Sequence, residues 1–199
     1  MTDDATQLEW RRIASEYGAD LILFRARYDM LEHPTSGEHL RRIVLESVDW
    51  VNVVALTREG LSVMVEQYRF GVGHLTLETP GGMVDAGETS LQSARRELLE
   101  ETGYGGGRWS YLGAVEPNPA VHDHLCHHWL AEDVEIVAPP SPGHGEAVAV
   151  RLLDPSDLAR ALREGRLRHV LALSALSRVF ALWALPRRSS GLPNPALKG

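Results

Sequence analysis

The segment from Gly82 to Tyr104 constrains the fold of this chain more than any other. It predicts one helix from about Thr89 to Thr102, because Thr89 and Gln92 form a capping box at its start and Gly103 ends it. An apolar stripe that can anchor this helix to a sheet is formed by Leu91, Ala94 and Leu98. Carboxylates gather in the last turn or so, at Glu97, Glu100 and Glu101.

The crowded carboxylates of this helix need a compensating charge. Positions three and four apart share one helical face, so the three groups converge. Like charges repel by about 0.2–0.5 kcal/mol per pair, and anions are unfavourable at the C-terminal end of a helix dipole. Arg96 is one local partner, because Glu100 follows it by four residues. A hard divalent cation is the fuller answer, since Mg²⁺ prefers oxygen ligands and is usually held by one or two carboxylates together with substrate phosphates.

A solvated acidic helix face is the alternative, and the spacing of the segment argues against it. Five residues separate Gly82 from Glu88, and seven separate Glu88 from Arg96. The remaining fixed identities are Glu97, Glu100, Glu101 and Gly103, and the pattern also has an aliphatic residue at Leu98 and a bulky one at Tyr104. With seven fixed identities, each at about one in fifteen, a chance match has a probability of about one in 10⁸ per starting point. The segment reproduces the complete signature of the Nudix hydrolases, and the chain resembles that family, above all its ADP-ribose pyrophosphatase and nucleotide-sugar hydrolase branch.

The resemblance implies an α/β (α+β) fold, an α/β/α sandwich with a mixed β-sheet and an N-terminal β-strand extension. Carried over by motif position, Glu97 and Glu101 are the main metal ligands, with Glu100 and the carbonyl of Gly81 as further ligands. Arg96 would orient these carboxylates, and Glu88 would brace the loop. Magnesium is the expected cofactor, with manganese as a substitute. The implied chemistry is in-line attack of an activated water on one phosphorus of a diphosphate bridge.

The resemblance also supplies a general base, which must lie within hydrogen-bond reach of that water. Glu146 is the first candidate, because it follows the Pro- and Gly-rich loop at residues 139–145, where the branch draws its base from a Glu. A solvated loop residue is the other interpretation of Glu146. Glu100 is the alternative base.

The segment before the signature points to the class of substrate. Within it, Arg69 and Glu78 match positions that contact substrate phosphate and lie beside the bound ligand in this branch; a surface strand end is the other interpretation of Arg69. Pro119 lies fifteen residues beyond Tyr104, near where ADP-ribose hydrolases place a proline. Because Pro117 stands two residues earlier, the proline that matches this position is ambiguous. The expected substrate is therefore ADP-ribose or a nucleoside diphosphate sugar, GDP-mannose included.

The rest of the chain reads as strands and two further helices. Strands are expected in succession from Leu21 to Arg69 and again at 109–115, 127–137 and 147–153, with a turn at 80–82 and helices at 155–165 and 169–185. The expected organisation is an N-terminal β extension at residues 1–48, a hydrolase domain at 49–186 and a flexible tail at 187–199.

The N-terminal strands resemble the small domain through which family dimers interlock, so a homodimer is expected. In that domain an aromatic residue stacks on the base of the substrate, and Trp50 and Tyr28 are the candidates here. Packing in the core or at an interface is the alternative for both, because large aromatic residues commonly fill such places.

Charge and cysteine content argue against several partners. The net charge of −7 gives no basic field for nucleic acid. The apolar stretch at 170–185 is interrupted by polar residues and shorter than the ~20 residues of a membrane span. Cys126 is the only cysteine, and the start of the chain lacks the features of a signal peptide, so a cytoplasmic protein is expected.

A histidine-rich segment raises the question of a zinc site. It contains His122, His124, Cys126, His127 and His128. Zinc is not favoured, because no second cysteine pair stands at finger-like spacing and the segment continues into a predicted strand. A histidine that contacts substrate phosphate or ribose is the alternative.

Three other functions compete with diphosphate hydrolysis. A non-catalytic sensor of nucleotide sugars would not need the full set of charge-crowded ligands. A hydrolase that sanitises noncanonical nucleoside triphosphates is disfavoured by Arg69, Glu78 and the β extension. Hydrolysis of RNA caps would need a basic surface that binds RNA, and the net charge of −7 disfavours this function.

Overall fold

The computed structural model describes residues 8–143 and 145–182, which form eleven strands and three helices. The strands are β1 (Arg11–Asp20), β2 (Arg25–Glu32), β3 (His39–Glu46), β4 (Trp50–Thr57), β5 (Ser62–Arg69), β6 (His74–Glu78), β7 (Gly81–Met83), β8 (Tyr104–Gly105), β9 (Arg108–Val115), β10 (Cys126–Ile136) and β11 (Val148–Leu153). The helices are α1 (Ser90–Thr102), α2 (Pro155–Arg163) and α3 (Val170–Ser177).

The first three strands form a separate antiparallel sheet in the order β1-β2-β3. It meets the rest of the molecule at the segment before β10, where the Leu45 N–H donates to the Val121 carbonyl at 2.7 Å. Arg27 of β2 also reaches the Asp123 carboxylate at 3.5 Å. This sheet therefore leads directly into β4 and the larger sheet.

The larger sheet has eight strands and is mixed. Its central path runs β11-β5-β4-β10-β8, with β6 on β5, β7 on β4 and β9 on β10. The pair β4 and β10 is parallel, and the other pairs are antiparallel. Because β7 pairs with β4, the segment that begins the signature is held at the centre of the sheet.

Helices cover both faces of the large sheet. Alternate side chains of a strand point to opposite faces, and β4 follows this rule. Val51 and Val53 pack with Ala94 and Leu98 of α1, whereas Val54 packs on the other face with residues of α2 and α3 that include Leu158 and Leu176. The expected α/β/α sandwich with a mixed sheet and an N-terminal strand extension is confirmed.

Four expectations about single elements are wrong. The strand predicted from Leu21 begins at Arg25, because residues 21–24 form a turn. The strand β1, which precedes this turn, was not expected. Gly81 and Gly82, expected in a turn, lie in the short strand β7. The last helix ends at Ser177 with Arg178 as its C-cap rather than continuing.

Parts of the predicted organisation lie outside the described residues. These are the tail at 187–199, the first seven residues of the β extension and the end of the predicted last helix. The domain limits at residues 48 and 186 stay predictions. Within the described part of the chain, no helix has the length and apolar character that crossing a membrane requires.

Candidate metal and substrate site

Helix α1 is capped at both ends, and this fixes where its carboxylates lie. At the start, Thr89 Oγ1 accepts the Gln92 N–H at 3.3 Å and Gln92 Oε1 accepts the Thr89 N–H at 2.8 Å, so the predicted capping box is confirmed. At the end, Gly103 has a φ of 74°, the left-handed region that glycine adopts without strain. Its N–H donates to the Leu99 carbonyl at 2.8 Å.

Arg96 is the centre of an ion-pair network on this helix. One amino group of its guanidinium donates to Glu97 at 2.8 Å and to Glu100 at 3.2 Å. Nε and the other amino group contact Glu88 at 3.1–3.2 Å, and that amino group also donates to the Met83 carbonyl at 3.0 Å. Glu88 is held in turn by the Ser93 hydroxyl at 2.6 Å. Arg96 therefore joins the helix to the loop before it and orients two of the predicted ligands.

The two glycines of β7 bring bare backbone against the other end of the carboxylate cluster. The Gly81 N–H donates to Glu101 Oε2 at 3.0 Å. A Cβ built on Gly82 would overlap the Glu97 carboxylate, and one built on Gly81 would overlap the Val51 carbonyl of β4. The absence of a side chain at Gly82 therefore leaves room for the Glu97 carboxylate, whereas its absence at Gly81 lets β7 lie close to β4.

The electrostatics of this pair show an excess of negative charge. Burial, together with the nearby charges of Glu97 and Glu146, raises the pKa of Glu101 to about 8, although the Gly81 N–H lowers it. Burial also raises the pKa of Glu97, against the opposing effect of Arg96. A cation at this place would relieve both groups, so their environment fits a metal ion.

The carboxylates do not form a closed cage. Among residues 8–143 and 145–182, no three Asp, Glu, His or Cys side chains are arranged to hold one metal ion. The Glu100 side chain is half-exposed and is turned toward Arg96. An open site of one or two carboxylates suits Mg²⁺, which usually keeps waters and takes further oxygen ligands from substrate phosphates.

Arg69 and Glu78 meet across the hairpin of β5 and β6. Arg69 donates from Nε to Glu78 Oε1 at 2.8 Å and from Nη2 to Oε2 at 2.6 Å, and the Thr76 hydroxyl also donates to Oε1. Burial raises the pKa of Glu78, but these donors and His169 outweigh it and the pKa is lowered. The Arg69 side chain is partly exposed, and the charges of Glu101 and Glu146 act on it. The structure therefore brings both predicted substrate residues to the carboxylate cluster.

Glu146 lies on the loop between β10 and β11. Its carboxylate accepts the Gly143 N–H at 2.9 Å, and its charge acts on Glu97, Glu101 and Arg69. The same loop is tied to α1, because the Ser141 N–H donates to the Glu100 carbonyl at 2.8 Å. The structure thus places Glu146 near the cluster, while its role as a base stays a prediction.

The two predicted base-stacking residues lie in or beside the three-stranded sheet. Tyr28 of β2 packs under the Arg41 guanidinium, 3.8 Å from its ring centroid. The Trp50 ring lies 4.2 Å from that of His124 and 6.1 Å from that of Phe24. Both aromatic rings thus already have packing partners within the chain, and their contact with a base stays a prediction.

The histidine-rich segment is divided by the alternation of β10. His127 contacts Asp49 at 3.0 Å and the Tyr111 hydroxyl at 2.9 Å, whereas His128 contacts the Ser174 hydroxyl of α3 at 3.1 Å. The Cys126 thiol donates to Asn52 at 3.1 Å, and burial raises its pKa to about 12. The thiol therefore stays protonated at neutral pH.

His169 near Glu78 is a polar residue that the sequence did not single out. Its Nε2 lies 3.7 Å from Glu78 Oε2, although 91 positions separate the two residues along the chain. The only local signal is its place immediately before an apolar helical segment. That signal predicts a helix cap and gives no indication of Glu78.

Comparison with known proteins gives consistent results. A family model described as NUDIX domain matches residues 48–173. The chain is 30% identical over 184 residues to the ADP-ribose pyrophosphatase of Mycobacterium tuberculosis, a match that covers 90% of this chain and 88% of that protein. It is 34% identical over 122 residues to the ADP-sugar pyrophosphatase of Mus musculus, covering 57% and 56%. A solved structure titled "Crystal structure of ADP compounds hydrolase" has a TM-score of 0.73 and 21% identity, over 86% of this chain and 92% of that one.

Proposed function

This chain belongs to the NUDIX family, and we propose that it hydrolyses the diphosphate bond of ADP-ribose or another nucleoside diphosphate sugar. The products would be a nucleoside monophosphate and a sugar phosphate. The likeness to the ADP-ribose pyrophosphatase of M. tuberculosis, which extends over 90% of the chain, supports the substrate class. The structural observation that carries the proposal is the buried pair Glu97 and Glu101 against the bare backbone of β7.

NUDIX hydrolases generally use divalent metal ions, and Mg²⁺ is the ion proposed for this site, with Mn²⁺ as a substitute. Glu97 and Glu101 would hold it, with Glu100 and the Gly81 carbonyl as further ligands. When bound, the ion supplies positive charge against the diphosphate and lowers the pKa of water. All proposed ligand atoms are oxygens, which is the donor set that Mg²⁺ prefers.

The side chains around the ligands orient the carboxylates, bind the substrate and accept a proton. Arg96 holds Glu97 and Glu100 in place through one amino group. Arg69 turns toward a phosphate of the substrate, because its partly exposed guanidinium presents a fork of donors that fits phosphate oxygens. Glu146 accepts the proton of the attacking water, and Glu100 is the alternative base. The role of Glu146 as the base is supported by its position, because its charge raises the pKa of both Glu97 and Glu101.

The protein would act as a homodimer through its three-stranded sheet. Every residue of β1 is exposed, including Ile13 and Tyr17, and Ile22 in the following turn is 95% exposed. Apolar residues gathered on an exposed edge strand are typical of a surface that another chain covers. The exposed apolar area supports a second copy as the partner.

Product chromatography tests the proposed function. The pure protein would be incubated with Mg²⁺ and, in separate reactions, ADP-ribose, ADP-glucose, GDP-mannose, UDP-glucose, dinucleoside polyphosphates and oxidised deoxyguanosine triphosphate. AMP or GMP together with a sugar phosphate is the expected result, and it also identifies the base. Cleavage of the triphosphate alone would indicate a sanitising enzyme instead, and ligand binding without cleavage would indicate a sensor.

A further inference from the structure

Glu78 is a buried carboxylate whose partners can be assigned oxygen by oxygen. The residue is 1% exposed. Oε1 accepts from Arg69 Nε and from the Thr76 hydroxyl, whereas Oε2 accepts from Arg69 Nη2 at 2.6 Å. If Arg69 leaves, Oε1 keeps the Thr76 hydroxyl, but Oε2 loses its hydrogen-bond donor.

His169 faces the oxygen that would lose its donor. Its Nδ1 accepts the Ala172 N–H at 3.4 Å and so caps α3, which leaves Nε2 directed at Glu78 Oε2 from 3.7 Å. Burial lowers the pKa of His169, so the ring is neutral at neutral pH. Because Nδ1 acts as an acceptor, the single ring proton sits on Nε2, which makes Nε2 a donor pointed at Glu78.

We propose that His169 is a positioning residue that donates a hydrogen bond to Glu78 Oε2 when the Arg69 guanidinium turns from Glu78 to a phosphate of the substrate. The inference rests on the diphosphate hydrolysis proposed above. An unpaired buried carboxylate is strongly unfavourable, so without a second donor Arg69 would be held back by Glu78. With His169 in place, the same guanidinium can bind substrate at a smaller cost.

Arg168, the charged residue beside His169, does not offer Glu78 another donor. Arg168 is directed at the His74 ring at 3.5 Å, at the exposed start of β6. The charges that act on His169 are those of Glu78 and Arg69 themselves. His169 is therefore the group placed to respond when that ion pair opens.

Two substitutions separate the capping bond of His169 from its contact with Glu78. In His169→Asn, the amide oxygen keeps the acceptor for the Ala172 N–H, but the side chain is too short to reach Glu78. In His169→Gln, the amide nitrogen keeps a donor near Glu78, while the cap is weakened. His74→Asn, at the exposed start of β6, is the matched control.

Steady-state kinetics on the substrate identified by product chromatography tests the inference, together with thermal melting. His169→Asn should raise KM about tenfold, the loss expected for one hydrogen bond to a charged group, with kcat within about twofold of wild type. His169→Gln should keep KM within about threefold of wild type but lower Tm, since it loses the cap. In a Glu78→Gln background, His169→Asn should leave KM unchanged, because no charge remains to be compensated.

A wild-type KM in His169→Asn would overturn the inference, and so would an equal rise in both His169 variants. These outcomes leave the proposed function intact, because the wild-type chain still turns over its substrate in the same assay. Absence of turnover by the wild-type chain on every compound tested contradicts the proposed function instead, and the inference with it.

Discussion

Glu101 lies in surroundings that oppose its negative charge. It is 4% exposed, its backbone donor is the Gly81 N–H, and the carboxylates of Glu97 and Glu146 lie near enough to raise its pKa. Arg96 contacts Glu97 and Glu100, whereas Arg69 lowers the pKa of Glu101 only from a distance. A bound cation is therefore worth more at Glu101 than at Glu97 or Glu100, each of which already has an arginine.

Glu101→Gln should reduce turnover at least about 100-fold while the protein stays folded, because the variant removes charge from the metal site and leaves the core packing unchanged. The amide oxygen can still accept the Gly81 N–H. The measurement is kcat with Mg²⁺ alongside thermal melting. Glu135→Gln, an exposed residue of β10, should behave like wild type. Wild-type turnover in Glu101→Gln would remove Glu101 from the ligand set.

Stability without metal should fall as pH rises toward 8. The pKa of Glu101 is raised from 4.5 to about 8, so the folded protein holds this proton more tightly than the unfolded chain. Its contribution is complete below about pH 4.5 and is lost as pH rises through about 8. In a chelator, Tm of the wild type should therefore drop relative to Glu101→Gln across this range. Mg²⁺ should reverse the drop most at high pH, since binding needs the deprotonated carboxylate.

Thermal melting at a series of pH values, with chelator and with Mg²⁺, checks that prediction. The comparison with Glu101→Gln removes the effect of other groups, such as His128, whose pKa is lowered by burial to about 4. Parallel curves for the two proteins would show that Glu101 does not titrate in this range.

Some site residues follow from the sequence, and others follow only from the fold. Spacing along one helix identified Glu97, Glu100 and Glu101, because α-helical geometry converts sequence separation into direction in space. The paired contact of Arg69 with Glu78 depends on the register of two strands, which the sequence does not state. His169 reaches Glu78 through the packing of α3 on the sheet, and no local pattern encodes that.

Among the elements, α1 and most of the long strands were predictable, whereas the long strand β1, the end of α3 and the shortest strands were not. The start of α1 was set by Thr89 and its end by Gly103, so its limits were found within one residue. The strand β1 was missed because RRIASEYGAD lacks an apolar alternation, and its residues are exposed on both faces. Strands of two or three residues, such as β7 and β8, carry no periodicity and exist only because a neighbouring strand pairs with them.

The two glycines of the short strand β7 make room for different groups, Gly82 for the Glu97 side chain and Gly81 for the backbone of β4. In Gly82→Ala, the new methyl group would meet the end of the flexible Glu97 side chain, so the carboxylate moves while the backbone stays. Turnover should fall by about 100-fold with Tm nearly unchanged, as expected for a displaced catalytic group. In Gly81→Ala, the methyl group would meet the Val51 carbonyl inside the sheet, so Tm itself should fall.

Parallel measurements of kcat and Tm distinguish the two glycine variants. Gly71→Ala, where a Cβ meets nothing within 4 Å, serves as the control and should change neither quantity. Equal losses of Tm in the Gly81 and Gly82 variants would contradict the view that Gly82 serves the site and Gly81 the sheet.

At the scale of the whole molecule, the two sheets differ in how far other elements pack against them. The large sheet is covered by helices on both faces, whereas the three-stranded sheet is tied to the rest through Leu45, Arg27 and the Phe24 to Trp50 contact. A sheet of few strands needs a hydrophobic face or packing against another element for independent stability. The three-stranded sheet therefore gains most from a partner.

Light scattering during gel filtration tests the proposed homodimer, and the expected mass is twice the 22.0 kDa of the chain. Ile13→Arg should shift the protein toward the monomer, because it places a charge on the exposed strand β1 and would leave that charge buried in an interface. Ile136→Arg is the matched control, since it changes an equally apolar residue that is 70% exposed at the end of β10. The dimer should survive the control substitution. A monomer in the wild type at micromolar concentration would contradict the proposal, and dissociation by Ile136→Arg alone would move the interface from the three-stranded sheet to the hydrolase domain.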